Sequence, residues 1–87
     1  MMKENLSNIT VEVAEKYSTE VSKEDLANAW VDEYGVKYSA DRKRLLWAPH
    51  NIHSYNILKG TKAICDRAFI GCHGLTSLHI PKSVTTL

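Results

Sequence analysis

The residues best suited to chemistry lie in the second half of this 87-residue chain: two cysteines, Cys65 and Cys72, and four histidines, His50, His53, His73 and His79. Thiolate and imidazole are the usual ligands of a tetrahedral zinc ion, and together they can also form an activated cysteine nucleophile. Zinc modules favour two close pairs such as Cys-x-x-Cys, whereas six residues separate these cysteines. A cysteine nucleophile needs an accessible, electropositive pocket with its base within hydrogen-bond reach. Cys72 and His73 are chain neighbours, which rarely face one another, and no oxyanion-hole glycine loop accompanies them. The pattern predicts no catalytic residue, no resident metal and no other cofactor. Zinc held by Cys65, Cys72, His73 and His79, and a Cys65–Cys72 disulfide, are the alternatives to reduced cysteines in or near a core.

Composition narrows the partners. With 44% hydrophobic and 24% charged residues the chain falls among folded proteins, and a net charge of +1 supplies no field for nucleic acid. The densest charge, Asp41-Arg42-Lys43-Arg44, reads as a solvated turn. No apolar run approaches the roughly 18 residues that cross a bilayer, and residues 1–7 lack the apolar core of a secretion signal. A cytoplasmic chain is expected if the sequence is complete.

Two elements are expected to hold the first third together. Leu6, Ile9, Val13, Tyr17 and Val21 repeat at helical spacing, although Ile9, Val11 and Val13 also alternate as a strand would. Ser22-Lys23-Glu24-Asp25 has the form of a capping box, so a second helix is expected to start at Ser22. Val21 and Leu26 would pack as a hydrophobic staple, Ala29 and Trp30 would continue the buried face, and Gly35 would end the helix or the turn after it.

Beyond Gly35, residues 36–39 alternate, 40–43 are polar, and 44–47 are apolar until Pro49, which predicts a β-hairpin. Sliding the chain on itself by 23 residues lays 50–64, HNIHSYNILKGTKAI, onto 73–87, HGLTSLHIPKSVTTL. His50, Ser54, Ile57 and Lys59 meet identical residues, and Ile52, Tyr55 and Ile64 meet Leu75, Leu78 and Leu87. Each copy contains apolar-x-x-apolar-x-Ile, the way a leucine-rich repeat writes its short strand. Alternation turns Leu78 and Ile80 inward and leaves Thr76, Ser77 and His79 to the turn or the solvent.

Residues 63–87 resemble one unit of the BspA-like leucine-rich repeats, found in surface proteins of Bacteroidetes and of some parasitic protists. Ala68-Phe69, Gly71-Cys72, Leu75, Leu78, Ile80-Pro81 and Val84 carry the resemblance, and Cys65 departs from it where glycine is usual. The lead-in at 35–49 is also similar. The resemblance implies an adhesion or protein-interaction scaffold at the cell surface, without catalytic residues, in which an Ala-Phe helical turn buries the phenylalanine. Its alternatives are an intracellular adaptor of the same fold and a small metal-binding protein. The expected architecture is α+β: a helical segment over 1–31 and a hairpin over 32–49, capping a short solenoid of strands and helical turns over 50–87. Phe69, Cys72, Leu75, Leu78 and Ile80 form its expected core ladder, and Thr76, Ser77 and His79 its expected interaction surface. The partner is an unknown protein, neither nucleic acid nor membrane, and the open last repeat predicts a homodimer or strand-exchanged pair through 75–87.

Overall fold

The computed structural model describes residues 17–87. Most of the first expected helix lies outside them, and residues 17–21, its last stretch, have no regular secondary structure. The Ser22 capping box is formed: Ser22 Oγ accepts from the Asp25 amide at 3.0 Å and the Asp25 carboxylate accepts from the Ser22 amide at 2.9 Å. The helix it starts, α1 (Lys23–Ala27), is only five residues long and buries none of them. Trp30 and Val31 leave it to form β1 (Trp30–Val31), and Leu26 and Trp30 stay exposed. The expected helix to Gly35 is therefore cut short. Gly35, at φ +88°, instead serves the turn between β1 and β2 (Lys37–Tyr38), a conformation glycine adopts without steric cost.

The α+β architecture of helices capping a solenoid is overturned by this structure, in which strands dominate and α1 is the one helix among the described residues. The strands divide between two sheets that are not equivalent units. In the first, β1 pairs antiparallel with β2, β2 antiparallel with β3 (Arg44–Trp47), and β3 parallel with β5 (Ala63–Ile64). The second joins β4 (Ser54–Asn56) to β6 (Ser77–His79) in parallel. The reason lies in the hairpin: β3 enters as its second arm and meets β5 at an offset of 19 residues (Arg44 on Ala63), so the first sheet is mixed and irregular. The 23-residue offset appears only farther along, where Ser54 pairs with Ser77, Tyr55 with Leu78, Asn56 with His79, and Ala63 with Thr86.

The core follows strand alternation. Val36, Tyr38, Leu45, Ala48, Ile52, Tyr55, Ile57 and Ala68 form one buried cluster. Within it the tyrosine hydroxyls make a directed chain. The Leu58 amide donates to Tyr38 Oη at 3.3 Å, Tyr38 and Tyr55 hydroxyls lie 2.6 Å apart, and Tyr55 donates to Asp32. Each hydroxyl has a single proton, so with Tyr55 committed to Asp32, Tyr38 donates to Tyr55. Burial raises both tyrosine pKa values, and for Tyr55 the Asp32 carboxylate adds to it. Two buried phenols are thus satisfied within the core.

Arg44 fixes the preceding segment to β3. Its guanidinium donates to the Ser18 and Glu20 carbonyls at 2.8 and 2.5 Å and makes a two-pronged contact with Asp25 at 3.2 and 3.3 Å. The planar fork suits this geometry. The Ser22 amide, followed by Arg44, holds the Asp25 carboxyl below the usual carboxylate range.

Candidate interaction surface

The chemistry-bearing residues of the second half do not converge. Cys65 is buried, Cys72 is half-buried, and both are free thiols. Burial pushes the Cys65 thiol up, with Arg44 opposing it, so the protonated, unreactive form is favoured. Cys72 Sγ faces backbone carbonyls, Pro49 at 3.4 Å and Ala48 at 3.9 Å, while His73 beside it is exposed. Among the described residues no group of three or more His, Cys, Asp or Glu side chains is arranged to hold a metal ion. No described helix is long and apolar enough to cross a membrane.

The glycines flanking Cys72-His73 have a different purpose. A Cβ on Gly71 would stand 2.9 Å from His50 Nε2, and one on Gly74 would stand 3.0 Å from the His53 ring. Each histidine of the first copy thus rests on a glycine of the second, and His53 Nδ1 lies 3.2 Å from the Gly74 carbonyl. The signal for this was in the sequence, as glycines three residues apart, but nothing local says what needs the space.

The Ala68-Phe69 segment, 68–72, is expected to make a helical turn. The stretch 65–72 forms successive tight turns instead, closed by Ala68 N–H to Cys65, Ile70 N–H to Arg67 and Cys72 N–H to Phe69. Positive φ at Arg67 (60°) and Gly71 (78°) keeps it from becoming a helix. Phe69, Cys72, Leu75 and Leu78 are only half-buried, packed against the central cluster from outside. Ile80 is not part of an inward ladder: it is 44% exposed, because its counterpart Ile57 already occupies the interior and nothing described covers the outer copy.

The residues expected to form the interaction surface separate into two kinds. Thr76 is exposed but anchored, its amide and hydroxyl both donating to the His53 carbonyl at 2.8 and 3.3 Å. Ser77 and His79 lie on the exposed face of the two-stranded sheet. Parallel pairing sets Ser54 beside Ser77 and Asn56 beside His79, while Tyr55 and Leu78 turn toward the core. Two rows of polar side chains therefore stand on one face, at the roughly 4.8 Å spacing of paired strands. Ser54 and Asn56 were missed from sequence, although the 23-residue register pairs them with residues that were singled out. The face ends at the turns 57–60 and 80–83, joined where the Gly60 amide donates to Ser83 Oγ at 3.1 Å.

Comparison with protein-family models, with curated proteins and with solved structures finds no match to this chain.

Proposed function

We propose that this chain is a non-catalytic protein-interaction module whose contact surface is the exposed face of β4 and β6. The observation that carries this reading is the in-register pairing of Ser54 with Ser77 and Asn56 with His79 on one exposed face. Short polar side chains held by a backbone ladder offer hydrogen bonds at fixed positions with little side-chain entropy to lose on binding. The resemblance of 63–87 to BspA-like repeats supports the same reading and suggests an adhesive role at a cell surface. Of the thiols and histidines, Cys65 is buried, Cys72 Sγ faces backbone carbonyls and His73 is exposed.

Site-specific photo-cross-linking tests this. A photoreactive side chain at position 77 is expected to yield discrete protein adducts, whereas the same group at exposed position 24 on α1 yields none. Equal adducts from both positions would remove the case for a contact face.

A further inference from the structure

At the end of that face the two copies enclose an open groove of about 780 Å³. Leu58 and Pro81 give it apolar walls over the buried Ile57, and Lys59, Lys82 and His79 stand among them. Lys59 and Lys82 hold the same position in the two copies, both exposed; among the described residues they are the groove's two cationic side chains and no acidic residue lines it. The surrounding chain has the same bias, for residues 50–87 contain four lysines and arginines against one acid, Asp66. That local excess is hidden in the net charge of +1. Cations beside an apolar wall act on an approaching anion with less screening than cations on an open surface.

We propose that this groove docks an extended acidic segment of a partner protein, with apolar side chains against Leu58 and Pro81 and carboxylates between Lys59 and Lys82. The proposal rests on the reading of the β4–β6 face as a contact surface and names the partner's chemistry. A protein segment fits better than a nucleic acid. The groove offers apolar walls and two lysines, whereas a phosphate backbone demands a longer basic track.

The test uses the whole chain and fluorescently labelled short peptides alternating leucine with glutamate, leucine with lysine, or serine with glutamate. The Leu/Glu peptide is expected to bind the wild type, more weakly as salt rises, and better than either of the others. Reversal of both charges in K59E/K82E is expected to weaken it roughly tenfold and to favour the Leu/Lys peptide. K59Q/K82Q, which removes charge without adding repulsion, should fall between, and circular dichroism of both variants checks that they are folded. The proposal is overturned if the Leu/Glu peptide fails to bind, if K59E/K82E binds it as well as the wild type, or if a single-stranded oligonucleotide binds more tightly than the peptide. Should the peptide fail while position 77 still cross-links specifically, the acidic partner falls and the contact face stands.

Discussion

The two copies of the 23-residue pattern share much of their sequence and little of their environment. In the first, Ile52, Tyr55 and Ile57 are 8%, 4% and 2% exposed; in the second, Leu75 and Leu78 are half-buried and Ile80 is 44% exposed. The difference comes from neighbours. The first copy is covered on one side by the hairpin strands and on the other by the second copy, which among the described residues packs on one side only. Equal sequence therefore does not mean equal energetic weight. The inner copy is core, while the outer copy combines the covering of that core with an exposed polar face.

Truncating the equivalent isoleucines breaks the comparison most directly. Ile57→Ala empties a site in the central cluster and is expected to cost about 3 kcal/mol. Ile80→Ala removes a side chain nearly half in water and is expected to cost about 1 kcal/mol or less. Urea unfolding of the two variants checks this. Equal losses would mean that the outer copy is as well packed as the inner one.

Much of the local structure was legible in the sequence because it rests on chemistry a few residues wide. The Ser22 capping box is such a case, as are the polar turn before Arg44 and the alternation that buries Val36 and Tyr38. What could not be read there is tertiary. The helix expected to run through Trp30 stops at Ala27, since Trp30 and Val31 find strand partners in Tyr38 and Lys37, and that pairing outweighs a weak helical preference. The bond from Tyr55 to Asp32 spans 23 residues, and no pattern within either segment announces it. Repeat matching found the register that pairs Ser54 with Ser77, and the hairpin was expected to cap the repeats, yet neither pattern gives the 19-residue offset at which β3 meets β5 and makes the sheet mixed. The exposed polar face of β4 and β6 was half legible, through Ser77 and His79. Ser54 and Asn56 join it only once β4 and β6 lie side by side.

The histidine seats give a smaller, sharper contrast. Gly71 and Gly60 both have positive φ, +78° and +94°, but a Cβ at 71 meets the His50 ring whereas one at 60 meets nothing within 4 Å. Gly60→Ala is expected to cost about 1 kcal/mol for the left-handed backbone alone. Gly71→Ala is expected to cost about 2 kcal/mol, the same strain plus the displaced ring. Adding His50→Ala to Gly71→Ala should bring the two positions level, measured as thermal midpoints converted to free energy. If the two single variants already cost the same, the packing of the first copy's histidine on the second copy's glycine contributes nothing.

The smallest effect runs in the opposite direction. Thr61 is fully buried, and its hydroxyl has no hydrogen-bond partner among the described residues. Its counterpart 23 positions on is Val84, which has nearly the same shape and no hydroxyl. A buried hydroxyl without a partner loses its hydration and gains nothing in return. Thr61→Val is therefore expected to stabilise the protein by up to about 1 kcal/mol, a shift of a few degrees in the thermal midpoint for a domain of this size. A loss of stability instead would mean that the hydroxyl has a partner such as a bound water, and that the two copies differ at this position for a reason beyond packing.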